Sequence, residues 1–258
     1  MTVSSADIAR WFGVFFWPFL RTLALFSAAP LFSSVAIPIR AKVAIAFVIA
    51  GLVAATVPHP VPVTLSWATI VLAVQQVLVG LAIGFAMQLT LAAMTIAGDF
   101  IGVQMGFGFA GLFDIQNRFE VPVMSDLFGL IGLVLFVSLN GHLLLLGVLV
   151  KSFAAVPVAP GSGITLGGWH ALAQAGAVLF QMGVWLALPV IAVLLAANLA
   201  VAIVSRVAPQ INIMSVGFSL FMWVGIAATA ALVPFFVPAV EHMIAVGRML
   251  AGAVLRGG

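Results

Sequence analysis

The residues of this chain that could do chemistry are few, and several of them are concentrated in one segment. The chain has nine basic and six acidic residues among 258. Asp114, Arg118, Glu120 and Asp126 all lie in MGFGFAGLFDIQNRFEVPVMSD, residues 105–126. Glycine allows bending and phenylalanine adds bulk, and hydrophobic constrictions block water and ions in pores. The segment therefore suits a mobile element lodged in a pore, and it also fits a solvated loop between two helices.

The groups that usually carry catalysis or bind metals form no recognisable pattern. The chain has no cysteine, which excludes disulfides, thiol chemistry and cysteine-based metal sites. His142, in SLNGHLLLL, is the only histidine inside a long apolar run and has no Asp, Glu or second His nearby. We interpret Asn140 and Gly141 as a local break in a helix, with His142 bonded there. Without a nucleophile–base pair or paired carboxylates, we predict no enzyme activity, no metal and no cofactor.

Glycine spacing is the clearest local pattern. Gly80 and Gly84 form one GxxxG motif, and Gly98, Gly102 and Gly106 form two more in succession. Glycines four residues apart line one face of a helix and allow another backbone to approach closely. Glycine is common in membrane helices in general. Three such motifs within 27 residues nevertheless favour a tight helix–helix interface.

A second group of candidates consists of polar side chains inside apolar runs. Arg21 would cost roughly 2.5–3.5 kcal/mol if it faced lipid at mid-depth. We therefore expect it to pair with a carboxylate or with backbone carbonyls, or to reach an interface. Gln75, Gln76 and Gln88 each need a partner, so each should face another helix or a wet cavity. Hydrogen bonding between helices is the preferred interpretation, and a substrate site is the alternative.

The composition indicates that long apolar segments carry the polar residues described above. Hydrophobic residues make up 65% of the chain and charged residues 6%, far from the values of a soluble domain. The intervals 43–98, 127–150, 152–205 and 207–240 carry no Asp, Glu, Lys or Arg, and each exceeds the ~18 residues that suggest a membrane helix. The nine basic residues are scattered, so nucleic-acid binding is rejected. The chain is predicted to be an integral membrane protein.

Lipid tolerates only helices or closed barrels, and the apolar runs do not alternate with a period of two, so we predict an all-α fold. The expected helices are about six, some kinked or longer than a bilayer: Trp11 to about Phe32, Val43–Val57, Trp67 to at least Ala97, Leu127–Val150, about Ala171–Val204 and about Ile213–Val237. We treat residues 1–258 as one domain, with an N-terminal segment at 1–10, a central loop at 99–126 and a C-terminal tail at 241–258.

Several stretches resemble the FliR family of flagellar export proteins, whose virulence-secretion counterparts are similar. The resemblance runs from about residue 11 to 240. It is carried together by IPIRAKV, by VQQ followed by GxxxG, by AGDFIGVQMGFGFAGLFD, by LNGH and by RVAPQ-N. Each of these motifs is weak alone, but their order and spacing together are specific.

The resemblance implies a function that composition could not supply. Members of this family form, with FliP and FliQ, a helical ring that is the gate of the type III export apparatus. The gate lies in the bacterial inner membrane at the flagellar basal body, FlhB and FlhA associate with it, and unfolded flagellar proteins pass through it. The family places a channel plug after the glycine-rich helix, here residues 106–122, with candidate plug residues Phe107, Gly108, Phe109, Phe113, Asp114, Arg118 and Glu120.

Two alternatives are kept beside the flagellar interpretation. VGFSLFM at 216–222 lacks the proline and lysine that many relatives, especially virulence ones, carry after the corresponding phenylalanine, which favours a flagellar over a virulence system. A transporter or channel acting alone should show an inverted repeat and carboxylates inside the membrane. The carboxylates near helices, Asp99, Asp126 and Glu241, all lie at predicted helix ends, so this alternative is disfavoured.

Overall fold

The computed structural model describes residues 5–34, 37–55, 62–63, 66–107, 122–208 and 213–256. Every regular element in these ranges is helical, which confirms the all-α prediction. The helices are α1 (Ser5–Ala28), α2 (Ile39–Ala54), α3 (Trp67–Gln104), α4 (Val123–Ser138), α5 (Gly141–Ala155), α6 (Leu166–Val207), α7 (Ile213–Leu232) and α8 (Phe236–Arg256). A 3-10 turn, Val233–Phe235, separates α7 from α8.

Four stretches among the described residues are long and apolar enough to cross a membrane: Trp11–Ala28, Trp67–Gln104, Leu166–Val207 and Gly217–Arg256. The bent pair α4 and α5 adds a fifth if it counts as one span. The predicted number of about six is therefore approximate. The difference arises because α2 has only 16 residues, fewer than a bilayer crossing requires.

The predicted fourth helix, Leu127–Val150, is two helices, and this is a correction to its extent. Helices α4 and α5 meet at an angle of 67°. Asn140 occupies the left-handed region between them, with φ 58° and ψ 26°. Asparagine tolerates this conformation better than most residues do. The expected break at Asn140 and Gly141 is therefore confirmed by the observed backbone and by the angle between the two helices. His142 Nδ1 is buried without a hydrogen-bond partner in the described part of the chain, so no bond is made through this ring nitrogen there.

The last apolar segment does not end at Val237, and most of the assigned tail is helical. Helix α8 runs on to Arg256. Its buried residues include Val240, Met243, Gly247, Ala251 and Val254, which is the spacing of an amphipathic helix. A search for charge-free runs misses such a helix because Glu241 and Arg248 lie on its exposed face.

The other two assigned boundaries also shift. Helix α1 already begins at Ser5, inside the assigned N-terminal segment. Helix α3 continues to Gln104 and α4 starts at Val123, so the central loop is shorter than residues 99–126.

The chain forms two compact units, each assembled from separate parts of the sequence. The first comprises Met1–Thr90, Val137–Ala177 and Ile244–Gly258. Its largest fully buried side chains are Trp17, Arg21, Leu25, Phe26, Ile83, Met87 and Leu145. An arginine therefore lies among the central residues of this core, and Gln76 and Ser152 are fully buried in the same unit.

The second unit comprises Leu91–Phe136 and Val178–Met243. Its largest fully buried side chains are Met94, Ile101, Met105, Phe128 and Phe136. The rings of Phe128 and Phe236 meet edge to face with their centroids 5.1 Å apart, a favoured geometry for aromatic pairs.

Candidate functional site

Arg21 is fully buried in the first unit and connects three helices. Its Nε and Nη2 both donate to the amide oxygen of Gln76 on α3, the Nε bond being 2.9 Å long. Nη1 donates to Ser152 Oγ on α5 at 2.9 Å, and Nη2 donates to the Val156 carbonyl at 2.9 Å. Four of the five guanidinium N–H groups are thus used. One α1 side chain thereby ties α1 to α3 and α5.

The acceptors around Arg21 are all neutral within the described part of the chain. A buried charge without a counter-ion is costly, so other groups must offset it. Val156 is the C-cap of α5 and Ser152 lies in its last turn, where the helix dipole presents partial negative charge. The guanidinium carbon also lies 4.0 Å from the ring centroid of Phe153, within cation–π range. The end of α5 therefore takes the place of the carboxylate that Arg21 lacks.

Gly80 and Gly84 lie where α3 meets the backbone of α1. A Cβ at Gly80 would overlap the carbonyl oxygen of Arg21 and lie 2.9 Å from Ala24 Cβ. At Gly84 it would lie 2.6 Å from the Leu25 carbonyl oxygen and 3.0 Å from the Ala29 nitrogen. Backbone atoms cannot yield as side chains do, so only glycine fits this approach.

Gly98 and Gly102 lie where α3 meets α4 in the second unit. A Cβ at Gly98 would overlap the Met124 carbonyl oxygen and lie 2.7 Å from Ser125 Cα. At Gly102 it would lie 3.4 Å from Met124 Cβ, which is an ordinary contact. Ser125 Oγ also donates to the Thr95 carbonyl at 3.0 Å. The close contacts described for Gly98 and Gly102 are thus made within this chain, between α3 and α4.

Gly106 has a different structural role from the other glycines of the GxxxG motifs. Its φ is +87°, and it ends α3 rather than extending a packing face. The Gly106 nitrogen donates to the Val103 carbonyl at 3.0 Å, and the Phe107 nitrogen donates to the Gly102 carbonyl at 3.1 Å. This pair of bonds is the Schellman motif, which glycine favours at helix C-termini. Phe107 is half-buried directly after it.

The structure leaves most of the predicted plug outside its described residues. Of the candidate plug residues, Phe107 is described, and Gly108, Phe109, Phe113, Asp114, Arg118 and Glu120 lie in the range 108–121 that is not. On the far side the chain resumes at Pro122, whose carbonyl accepts from the Asp126 nitrogen at 2.9 Å. The plug therefore stays a prediction.

The remaining glutamines differ from Gln76. Gln75 Oε1 and Gln88 Oε1 are buried and have no hydrogen-bond partner within the described residues, and Gln76 Nε2 shares this condition. Only Gln76 is brought to Arg21. Sequence reasoning missed Ser152, Phe153 and Val156, which complete the site. The only local signal for them was a serine beside Lys151 at the end of an apolar run, KSFAAV.

Sequence comparison identifies a family and several relatives that match most of this chain. A sequence profile described as bacterial export proteins, family 1, matches residues 12–246. The flagellar biosynthetic protein FliR of Escherichia coli (strain K12) is 41% identical over 244 residues, which cover 94% of this chain and 93% of that protein. FliR of Pectobacterium carotovorum subsp. carotovorum is 39% identical over 243 residues, with coverage of 94% and 93%.

The similarity extends to relatives of lower sequence identity. FliR of Bacillus subtilis (strain 168) is 31% identical over 212 residues, covering 81% of this chain and 82% of that protein. The profile match, residues 12–246, spans most of α1 and all of α3 and α5, and with them the positions of the Arg21 site and the glycine motifs. The resemblance proposed from sequence motifs is thereby confirmed. The chain belongs to family 1 of the bacterial export proteins, the family of the flagellar export component FliR.

Proposed function

We propose that this chain is a non-catalytic subunit of the flagellar type III protein export gate in the bacterial inner membrane. It assembles with FliP-like and FliQ-like subunits into a channel for unfolded flagellar proteins, and FlhA-like and FlhB-like proteins associate with that channel. Membership in the family supports the flagellar export apparatus as the setting. The subunit partners and the channel are the proposed part.

The observation that carries this proposal is the exposed apolar surface of α6. The helix has 42 residues, about 63 Å at 1.5 Å per residue, whereas the hydrocarbon core is about 30 Å thick. Only 17% of its most apolar window is buried within the chain. Lipid can cover about half of such a helix, so the remainder needs apolar protein neighbours.

The described residues also suggest a division of labour. The Arg21 site and the glycine contacts of α3 support a rigid scaffold, because they join helices at backbone distance. The Schellman motif at Gly106 ends that scaffold just before the Gly/Phe-rich segment. A plug at 106–122 would therefore hang from a fixed helix end, which suits a gate that must reseal after each substrate.

The proposal can be tested by copurification. The tagged chain is expressed with the FliP-like and FliQ-like subunits of the same bacterium and purified in mild detergent. All three should elute as one complex, and deletion of the chain's gene should abolish both motility and export of flagellin to the medium.

A surface variant sharpens the test. Leu195 and Leu199 lie one turn apart on α6 and are 54% and 64% exposed, so L195Q/L199Q should lower the yield of the complex. L166Q is the control, since Leu166 is 89% exposed at the first residue of the same helix. A chain that works as a solitary monomer, with neither partner in the eluate, would overturn the proposal.

A further inference from the structure

A groove rich in basic residues lies between α5 and the C-terminal half of α8, within the first unit. Its volume is about 640 Å³. It is lined by Leu144, Gly147 and Lys151 of α5 and by Arg248, Gly252 and Arg256 of α8, among others. We call it the basic groove. Its residues are separate from those of the Arg21 site and from the glycine contacts of α3.

The basic groove concentrates charge of one sign. Three of the nine basic residues of the chain line it, and none of its lining residues is acidic. All three cationic side chains are exposed, and none forms an ion pair with another described residue. A cluster of cations without ion pairs, in a groove without acidic lining residues, attracts an anion.

The walls of the groove are apolar, and glycine leaves room in it. Leu143, Leu144 and Val148 line it on α5, and Met249 and Leu255 line it on α8. A Cβ at Gly147 would meet no atom within 4 Å, so this glycine serves no close helix contact. Glycine in a helix interior is unfavourable by about 0.5–1 kcal/mol relative to alanine, yet here it keeps an exposed helix face open.

The position along the helices matches the edge of a membrane. Arg256 is the last residue of α8, which ends the apolar stretch Gly217–Arg256. Lys151 lies four residues before the end of α5, which closes the bent apolar pair. Lysine and arginine at such ends reach the headgroup region, and basic pockets between membrane helices bind anionic headgroups.

We propose that the basic groove binds one anionic phospholipid. Its phosphate headgroup contacts Lys151, Arg248 and Arg256, and an acyl chain lies along the leucines of α5. This inference goes beyond the proposed function and requires only that the chain is embedded in a membrane. If the chain failed to assemble with FliP-like and FliQ-like subunits, the lipid-binding proposal would be unaffected.

The test uses the full chain, purified in mild detergent and examined by native mass spectrometry with added lipid. Dioleoylphosphatidylglycerol should bind more tightly than dioleoylphosphatidylcholine. The variant K151Q/R248Q/R256Q should weaken phosphatidylglycerol binding at least about tenfold, since each cation near a lipid surface contributes about fivefold. The matched control is R40Q/K42Q/R206Q. Like the groove variant, it replaces two arginines and one lysine, but these residues lie outside the groove.

A second variant guards against unfolding of the triple variant. G147L places bulk in the open part of the groove without touching a neighbour at Cβ, so it should weaken lipid binding while the Tm is retained. Equal binding of the two lipids, or equal losses in the groove and control triples, would overturn the proposal. So would capture of poly-glutamate by the groove cations with no bound lipid, which would assign the groove to an acidic protein segment.

Discussion

Gln76 accepts two hydrogen bonds from the guanidinium of Arg21 through a single amide oxygen. One turn further along α3, Gly80 lies against the backbone carbonyl of the same arginine. The side chain and the main chain of Arg21 are thus held by one face of α3. The polar contact and the close backbone contact depend on the same helix register.

Gln76→Leu should destabilise the protein by about 3 kcal/mol. The substitution leaves two buried guanidinium N–H groups without an acceptor, and an unpaired buried charge is costly. The unfolding midpoint in mixed micelles of mild detergent and SDS measures the effect. Gln75→Leu is the control, because the Gln75 amide oxygen has no partner among the described residues. Similar losses in the two variants would contradict the role given to Gln76.

A double-mutant cycle tests whether Arg21 and Gln76 act as a pair. Arg21→Met and Gln76→Leu together should cost clearly less than the sum of the two single losses, because removing both partners leaves no unpaired charge. We expect a coupling energy of at least about 1 kcal/mol, within the usual range for residues in contact. The same micellar unfolding assay applies to all four proteins. Additive losses would show that the observed hydrogen bonds do not contribute as a unit.

Gly84→Ala and Gly147→Ala should change stability in opposite directions. A methyl group at Gly84 would press on the Leu25 carbonyl at 2.6 Å, so α1 and α3 must separate, at a cost of about 2 kcal/mol. At Gly147 the methyl group meets open space, and the better helix propensity of alanine should stabilise α5 by up to about 1 kcal/mol. Thermal unfolding in detergent compares the two. A neutral Gly84→Ala would refute the close approach.

Gly98→Ala should be more damaging than Gly102→Ala, although both glycines belong to one motif. The Gly98 position faces backbone atoms of Met124 and Ser125, whereas the Gly102 position faces the Met124 side chain at an ordinary distance. We expect about 2 kcal/mol of destabilisation for the former and less than about 0.5 kcal/mol for the latter. The larger Gly102→Leu should displace Met124 and lower the yield of any complex. Normal yield of that variant would argue against tight packing of α3 on α4.

Deletion of residues 107–118 should open the gate to ions if the plug hypothesis holds. Cells that express the whole set of gate subunits with the shortened chain should lose membrane potential, measured with a voltage-sensitive dye. The same deletion expressed without the FliP-like and FliQ-like subunits should cause no leak. Copurification must first show that the shortened chain still assembles. Unchanged conductance in an assembled gate would reject the plug.

Part of the fold could be predicted from residue type and spacing. Charge-free runs predicted membrane helices, and α3 and α6 follow them closely. The break at Asn140 was foreseen because asparagine followed by glycine disfavours a continuous helix. Helix α8 was missed because its polar residues are spread along one face, and a count of charges cannot distinguish an amphipathic helix from a tail.

By itself, the sequence determined that this protein is helical, lies in a membrane, belongs to a known export family and contains an arginine that must find a partner. These properties follow from composition, periodicity and the order of motifs, which are visible along the chain. Only the tertiary structure decided that the acceptors of Arg21 lie 55, 131 and 135 residues away and that none of them is charged. The physical reason is that a buried charge is stabilised by whichever dipoles the packed helices bring to it. Which helix end will pack against Arg21 depends on contacts between residues far apart in sequence, and no local motif specifies those contacts.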